Sequence, residues 1–245
     1  MGKGIPRFLE VIFSFGFLLA TSPLLLVVAI AIRVSSRGPA LFRQERMGRQ
    51  GRTFLLYKLR TMRTSSTGPY VTAEDDHRIT PIGRLLRKWK LDELPEFWNV
   101  LRGDMSLVGP RPETPLYVEP NDPEWMFVLQ YQPGLTDPVT LRLRNEETLL
   151  AGIPGDREKF YREVLQPFKL RGYVRYLHER TWRSDFSVLW QTGLVIVFPQ
   201  RVSLLNMSEL ADSVTRQSAT SQHPPAAGGD LRMTSAGTGR CSGTT

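Results

Sequence analysis

An uncharged, mostly apolar run near the start of the chain, residues 11–32, constrains the fold more than any other feature. At about 1.5 Å rise per residue, a helix of this length can cross a hydrocarbon core of roughly 30 Å. However, Ser22 and Pro23 interrupt the run, and basic residues flank both of its ends, although positive charge is expected on the cytoplasmic side. The run therefore predicts either a spanning helix or a re-entrant helix that bends at Ser22 and Pro23. A cleaved signal peptide is less well supported, because no clear cleavage site follows the run.

The composition indicates one domain with appendages. The chain has 245 residues, of which 41% are hydrophobic, so it can bury a sizeable core. A single cysteine, Cys241, excludes an internal disulfide framework, and the sequence contains no zinc-binding pattern, glycine-rich nucleotide motif or serine nucleophile elbow. We predict a membrane helix over residues 1–36, a cytoplasmic catalytic body over 37–206 and a disordered tail over 207–245, where apolar residues are scarce.

The excess positive charge lies in one segment. Residues 33–63 contain nine Lys/Arg and one acidic residue, which accounts for the whole-chain net charge of +8. Within this segment, apolar-rich stretches at 40–46 and 53–60 flank a glycine-containing turn at 48–51, which predicts a β-hairpin. Arginines around such a turn suit phosphate oxygens, and a basic collar facing the membrane explains the segment equally well. One segment could serve both purposes.

Two adjacent carboxylates, Asp92 and Glu93, lie between two predicted amphipathic helices. The first helix should begin at Thr80 and Pro81, and the second should end at Gly103. This pattern places Asp92 at or near the N-cap of the second helix, where free N–H groups favour a carboxylate and can also hold a phosphate. Taken alone, the pair is more often a capping Asp followed by a solvated Glu than a catalytic site.

Downstream segments add further candidates. Arg111 stands between two prolines in a turn-rich loop over 104–113, which suits either a rigid substrate clamp or an ordinary stiff connector. Helices are predicted over 156–180 and 186–198. The first interleaves aromatic and basic residues in a way that suits core packing or a membrane interface.

The order of these features resembles the bacterial sugar transferases, the monotopic polyprenol-phosphate phosphoglycosyl transferases, in their small catalytic form. The resemblance covers roughly residues 5–200 and is carried by FRQERMGRQGRTFLLYKLRTM and RITPIGRLLRKWKLDELPEFWNVLRGDMSLVGPRPE. It implies an α/β fold, mostly helical with a small β-hairpin, that forms a compact monotopic membrane domain with a re-entrant N-terminal helix broken at Ser22 and Pro23. It also implies amphipathic surface helices and a catalytic domain on the cytoplasmic face of the bacterial inner membrane.

The implied reaction moves a sugar-1-phosphate from a UDP-sugar to a polyprenol phosphate such as undecaprenyl phosphate, with release of UMP. Such a step initiates a cell-surface glycan: an exopolysaccharide, the O-antigen of lipopolysaccharide, or a glycoprotein glycan. By resemblance, Asp92 is the nucleophile that forms an aspartyl phosphosugar, and Glu93 is the carboxylate tied to Mg²⁺. The basic positions that match the family, and so are implied to bind the substrate, are Lys58, Arg60, Arg87, Arg111 and, less strongly, Arg144.

The chain departs from the family pattern at Asp137, where many relatives carry glycine, and this leaves the sugar open. A rival hypothesis is a membrane-tethered binding protein that uses its basic hairpin on anionic lipid or nucleic acid. That hypothesis explains the charge and the anchor but not the DELPEFWN and GPRPE motifs. We therefore predict an enzyme that uses Mg²⁺, a UDP-sugar, a polyprenol phosphate and membrane lipids, without nucleic acid. The oligomeric state is not predicted.

Overall fold

A computed structural model describes residues 4–63, 71–198, 205–206 and 210, and its first helix, α1, spans Arg7–Ser35. Pro23 lies inside α1 and lacks the N–H that would bond to the carbonyl four residues earlier, that of Leu19. The Ser22 hydroxyl donates to this carbonyl at 2.8 Å. The helix therefore continues through Pro23, where the resemblance implies a break, and the Ser22 hydroxyl satisfies the carbonyl that the proline leaves without its backbone donor.

Helix α1 is long and apolar enough to cross a membrane, with a mean hydropathy of 2.4 over its most apolar window. Most of its large apolar side chains are exposed, whereas Glu10, Ser14 and Ile32 are buried against the rest of the protein. Ile32 packs with Leu59 and Leu86, so the last turns of α1 share a small apolar cluster with the body.

Strands β1, Leu41–Met47, and β2, Thr53–Leu59, form the predicted hairpin. They pair in antiparallel register, and the predicted boundaries hold to within one residue. In the connecting turn, Gln50 and Gly51 adopt positive φ angles of 59° and 71°. A glycine is thus needed at position 51, as expected, whereas the other left-handed position is filled by a glutamine.

The two helices that flank the Asp92–Glu93 pair are also present. Helix α2 spans Pro81–Lys88, and its N-cap Thr80 accepts a hydrogen bond from the N–H of Gly83 at 2.9 Å. Helix α3 spans Glu96–Arg102 and ends at Gly103 with φ of 86°. A short 3₁₀ turn, Leu91–Glu93, lies between them.

A second, parallel sheet begins within the segment 104–113, which the sequence predicts to be a loop. Strand β3, Ser106–Val108, pairs with β4, Gly134–Thr136. The strands are too short for a period-2 pattern, so the sequence carries no local signal for them. At their junction a Cβ on Gly134 would collide with the backbone of Gly109, which explains the glycine at this close approach.

The remaining helices complete the body and carry about half of its main core. The predicted helices over 156–180 and 186–198 are confirmed, although the last helix begins earlier, after a capping box formed by Thr181 and Ser184. Leu205 and Leu210 are buried in the core, so packing reaches past the predicted boundary at 206. Apart from Leu210, the predicted tail lies outside the described residues. The helical segments are α4 Pro123–Val128, α5 Pro138–Arg142, α6 Glu146–Ala151, α7 Arg157–Phe160, a π-helical turn Tyr161–Leu165, α8 Gln166–Glu179 and α9 Trp182–Val197.

Candidate active site

Asp92 lies in the 3₁₀ turn between α2 and α3 and is buried, with 7% of its surface exposed. The N-cap position of α3 is Pro95, three residues further on, and no side chain caps this helix. Asp92 thus lies near the N-cap of α3, as predicted, but is not itself the capping residue. Its Oδ1 atom is buried and has no hydrogen-bond partner within the described part of the chain. Because an unpaired buried oxygen is unfavourable, this carboxylate is a candidate for a functional role.

Two cations lie between Glu93 and a further carboxylate, Glu96. The Nζ atom of Lys58 lies 3.1 Å from Glu93 Oε1 and 3.2 Å from Glu96 Oε1. One guanidinium nitrogen of Arg111 lies 2.5 Å from Glu93 Oε1 and 3.5 Å from Glu96 Oε1. We call these four residues together with Asp92 the Asp92 cluster. It combines three acidic groups with two basic groups from separate parts of the sequence.

The acidic groups of this cluster differ in their pKa values. Burial, and next the charge of Glu93, raise the pKa of Asp92 above its ordinary range. Burial alone would raise the pKa of Glu93, but the charges of Arg111 and Lys58 outweigh it and lower that pKa. Burial raises the pKa of Glu96 despite the same two cations. Neighbouring carboxylates whose pKa values are pushed in opposite directions are typical of catalytic sites.

Arg111 reaches the cluster because of the second sheet. The parallel pairing of β3 with β4 brings the residues after β3 alongside β4, and the Arg111 guanidinium donates to the Leu135 carbonyl at 3.2 Å. The structure thus brings this predicted site residue to Glu93 through a sheet that the sequence does not reveal.

Glu96 is the one member of the cluster that the sequence analysis does not predict. It is fully buried, and its Oε2 atom has no hydrogen-bond partner among the described residues. Its spacing of three residues from Glu93 is the signal that could have found it, because side chains three apart share one face of a helical turn.

Arg87, another predicted site residue, lies close enough for its charge to lower the pKa of Asp92. Its guanidinium donates to the Thr61 hydroxyl at 2.9 Å and to Glu147 at 2.8 Å. Arg87 therefore borders the cluster from α2 and is oriented by two contacts outside it.

Two other predicted site residues lie elsewhere. Arg60 is buried and donates to the carbonyls of Ser36 and Arg37, both at 2.8 Å, at the end of α1. It satisfies carbonyls that a helix end leaves unpaired, so its placement does not support the predicted contact with the donor. Arg144 donates to the carbonyl of Leu141, which lies on α5 and outside the Asp92 cluster, at 3.4 Å.

Asp137, the departure from the family pattern, has a structural account. It is fully buried and caps α5, accepting hydrogen bonds from the N–H groups of Val139 at 2.7 Å and Thr140 at 3.0 Å. Its negative charge also acts on Arg111 and helps to raise the pKa of that guanidinium.

The acidic groups fit the expected Mg²⁺ in part. This ion is usually held by one or two carboxylates, several waters and substrate phosphates, rather than by an all-protein cage. In the described ranges, no group of three His, Cys, Asp or Glu side chains could hold a metal. The unpaired oxygens of Asp92 and Glu96, next to Glu93, suit an ion that also takes ligands from a substrate.

Comparison with known proteins places this site in context. The family model described as bacterial sugar transferase matches residues 1–199. A UDP-glucose:undecaprenyl-phosphate glucose-1-phosphate transferase of Caulobacter vibrioides is 50% identical over 120 residues, which cover 47% of this chain and 45% of that protein.

Two further relatives match a similar share of this chain. A UDP-N-acetylgalactosamine-undecaprenyl-phosphate N-acetylgalactosaminephosphotransferase of Aeromonas hydrophila is 42% identical over 120 residues, 47% of this chain and 28% of that protein. A putative undecaprenyl-phosphate N-acetylgalactosaminyl 1-phosphate transferase of Bacillus subtilis is 41% identical over 117 residues, 47% of this chain and 65% of that protein. The matches thus span less than two thirds of each of these three relatives.

Proposed function

The chain belongs to the bacterial sugar transferase family, and on that premise we propose that it transfers a sugar-1-phosphate from a UDP-sugar to undecaprenyl phosphate or a related polyprenol phosphate. The observation that carries this proposal is the buried Oδ1 atom of Asp92, which has no hydrogen-bond partner among the described residues, next to Glu93 with its cations Lys58 and Arg111. The printed names of the relatives support the donor and acceptor classes, with glucose and N-acetylgalactosamine as the sugars. The product would initiate assembly of a cell-surface glycan.

The reaction we propose proceeds by two displacements at one phosphorus. In the first, a carboxylate oxygen of Asp92 attacks the sugar-bearing phosphorus, the bond between the two phosphates breaks, and UMP leaves. In the second, a phosphate oxygen of the polyprenol phosphate attacks the same phosphorus. The bond to Asp92 then breaks, which regenerates the carboxylate and gives a polyprenyl diphosphate sugar. Two steps allow one small site to serve a soluble donor and a lipid acceptor in turn.

The cations of the cluster address the main difficulty of this chemistry, which is that a carboxylate must approach a diphosphate. Phosphoryl transfer is accelerated mainly by positioning and by neutralising charge. Lys58 and Arg111 are held in place by Glu93 and Glu96 before any substrate binds. The raised pKa of Asp92 indicates a poorly solvated and therefore more basic carboxylate, which makes it a better nucleophile.

We also propose that Glu93 holds Mg²⁺, together with oxygens of the donor diphosphate. When bound, the ion would supply charge neutralisation at the phosphate oxygens. Glu93 suits this role because its lowered pKa keeps it ionised at neutral pH. Lys58 and Arg111 then share the negative charge of the cluster with the metal.

The packing of α1 supports a monotopic arrangement, in which the helix does not separate its two ends across the bilayer. At its start, Arg7 donates to the Met105 carbonyl at 3.3 Å, and at its end Arg60 donates to the Ser36 carbonyl at 2.8 Å. Between them Phe17 packs on Phe97 of α3, with ring centroids 4.3 Å apart. Because both ends contact one body, we propose that α1 enters the membrane and leaves it on the cytoplasmic face.

An amphipathic surface helix would extend this contact with the membrane. Helix α9 exposes Trp182, Phe186 and Trp190, which recur every four residues and so lie on one face. Aromatic side chains at such positions favour the boundary between lipid and water.

Labelling can test the proposed topology. Cysteines would replace Lys3 and Arg37 in a background without Cys241, with labelling in intact cells and in inverted vesicles. We expect both positions to be labelled from the cytoplasmic side. Labelling from opposite sides would instead establish a spanning helix.

The proposed activity is tested by incubating membranes that contain the chain with a panel of labelled UDP-sugars and undecaprenyl phosphate. We expect Mg²⁺-dependent release of UMP with at least one sugar and formation of a lipid-linked product. A membrane-tethered binding protein would retain the nucleotide sugar without cleaving it, so a panel that yields no UMP would contradict the proposal.

A further inference from the structure

The segment that follows Arg111 is anchored in a second buried group of charges. Glu113 is buried, and its Oε1 atom accepts a hydrogen bond from the Tyr161 hydroxyl at 2.7 Å and lies 3.0 Å from Lys169 Nζ. The Nζ atom of Lys169 also lies 3.3 Å from Glu146 Oε2. We call these four residues the Glu113 cluster. It joins the segment after Arg111 to the π-helical turn, α6 and α8.

The backbone around Glu113 is held from the opposite side by strand β1. The N–H of Met47 donates to the Glu113 carbonyl at 2.8 Å, and the Arg46 guanidinium donates to the Pro112 carbonyl at 3.0 Å. Arg46 also lies 4.0 Å from Glu113 Oε2. Position 113 is therefore fixed through its side chain and through its backbone by different elements.

Stability alone gives a poor reason for this arrangement. Moving two charges out of water costs about as much as their attraction returns, and well-packed apolar residues often stabilise such a site equally well. The electrostatics nonetheless favour the charged forms of Glu113 and Lys169, although burial opposes both charges. Lys169 and Arg46 lower the pKa of Glu113, and Glu113 and Glu146 raise the pKa of Lys169. Tyr161 also begins a π-helical turn, a distortion that often occurs at functional sites. These features point to a geometric role.

The geometry that this cluster controls is that of Arg111, two residues before Glu113. Prolines on both sides of Arg111 restrict the backbone, because a proline ring fixes φ near −65°. The ring of Pro112 fixes one rotation between Arg111 and Glu113 and restricts the backbone of Arg111, so fewer rotations can absorb a displacement at position 113. At the other end of the segment 111–113, the Arg111 guanidinium lies 2.5 Å from Glu93 Oε1 and donates to the Leu135 carbonyl at 3.2 Å.

We propose that Glu113 is a positioning residue, whose buried contacts with Tyr161 and Lys169 set the place of Arg111 in the site for the donor diphosphate. The inference rests on the proposed function of the Asp92 cluster, in which Arg111 binds phosphate oxygens. In this proposal Glu113 acts on the reaction through Arg111 and not by contact with the substrate.

The test compares the length of the side chain at position 113 with its charge. Glu113→Asp keeps the charge but is one methylene shorter, so the carboxylate cannot reach its partners without moving the backbone. Glu113→Gln keeps the length and an acceptor oxygen. We expect Glu113→Asp to raise the KM for the UDP-sugar about fivefold or more with a smaller change in kcat, and Glu113→Gln to stay within about twofold.

A double-mutant cycle with Arg111→Ala identifies the route of the effect. In the Arg111→Ala background, Glu113→Asp should change the KM by less than about twofold, because the residue through which it acts is gone. If Glu113→Asp raised the KM by the same factor with Arg111 present and with Arg111→Ala, the inference would be overturned. A Glu113→Gln variant whose KM rises as much as that of Glu113→Asp would overturn it as well. If Glu113→Asp does not fold, Tyr161→Phe takes its place in the same cycle, with an expected rise of about threefold that Arg111→Ala abolishes.

Binding of UDP to the full chain in detergent, measured by calorimetry, separates this inference from the proposed function. If the chain binds UDP but releases no UMP from any UDP-sugar, the proposed transfer fails. The double-mutant cycle then uses the dissociation constant for UDP in place of the KM, with the same expected fold-changes. If Arg111→Ala changes neither UDP affinity nor KM, Arg111 does not bind the diphosphate, and the inference is overturned.

Discussion

The Asp92 cluster, which contains Arg111, and the neighbouring Glu113 cluster both pair carboxylates with cations, but they satisfy these charges differently. In the Glu113 cluster, the buried carboxylate of Glu113 has partners on both oxygens. In the Asp92 cluster, the cations are shared between two carboxylates, while oxygens of Asp92 and Glu96 have no hydrogen-bond partner in the described part of the chain. Satisfied charges fix a scaffold, whereas unsatisfied ones are available to a substrate.

The comparison of the two clusters predicts the largest effect on the reaction rate for a change at Asp92, whose Oδ1 atom has no hydrogen-bond partner among the described residues. Asp92→Asn should slow UMP release by about 10⁴-fold, or about 5 kcal/mol of barrier, because the amide cannot act as the nucleophile. The thermal unfolding midpoint should not fall, since burial disfavours the charge that the substitution removes. UMP release within tenfold of the parent would contradict the assignment.

Substitutions in the Glu113 cluster should change the stability of the fold. Lys169→Met leaves Glu113 buried without its main counter-charge, and we expect the free energy of unfolding to fall by about 3–5 kcal/mol. Adding Glu113→Gln should recover most of the loss, because no buried charge then remains unpaired. The matched control is Arg157→Met, which removes an exposed ion pair with Asp75 and should leave the unfolding midpoint unchanged.

Urea unfolding of the full chain in detergent measures these differences. A Lys169→Met variant as stable as the parent would show that the ion pair contributes nothing to the fold, and the contrast between the two clusters would be lost.

Glu93→Gln should have an intermediate effect on catalysis. The loss of its charge weakens the hold on Lys58 and Arg111 and removes the proposed metal ligand, so we expect UMP release to slow about 10²-fold, or about 2.7 kcal/mol. Higher Mg²⁺ concentrations should restore part of the rate. A Mg²⁺ dependence identical to that of the parent would exclude the metal role, and Glu124→Gln on the exposed face of α4 serves as the control.

The smallest predicted effect concerns pH. The folded protein lowers the pKa of Glu113, so its charge stabilises the fold above the unfolded pKa of about 4.3 and this contribution is lost as the pH falls through the folded pKa. At pH 7 the parent should therefore have a higher thermal unfolding midpoint than Glu113→Gln. When both are measured at about pH 5, 4 and 3, the difference between the two midpoints should become smaller at each step. A constant gap would mean that Glu113 is not an ionised partner of Lys169.

Much of the fold could be predicted from local signals in the sequence. The hairpin follows from a glycine-containing turn between apolar stretches, and α2 follows from Thr80 and Pro81 at its start. The second sheet could not be predicted, because two strands of three residues each pair only through distant contacts. The path of α1 through Pro23 depends on the Ser22 hydroxyl, a detail that composition alone does not reveal.

The candidate site was predictable where the family motifs fall. Asp92, Glu93, Lys58 and Arg111 come together as expected. Arg60 instead lies at the end of α1, just after the last residue of β2. There its guanidinium donates to a backbone carbonyl, that of Ser36. The Glu113 cluster has no local signal at all, since Glu113 and Lys169 meet only when α8 packs against the segment after Arg111.

The central claim, that Asp92 carries the phosphosugar, is tested most directly by trapping the intermediate. The full chain, purified in detergent and freed of polyprenol phosphate, would be incubated with a UDP-sugar that it cleaves, then quenched, and the peptides analysed by mass spectrometry. We predict a sugar-phosphate adduct on Asp92 that hydroxylamine removes and that a chase with undecaprenyl phosphate discharges into the lipid product. An adduct on another residue of the parent protein would contradict the account.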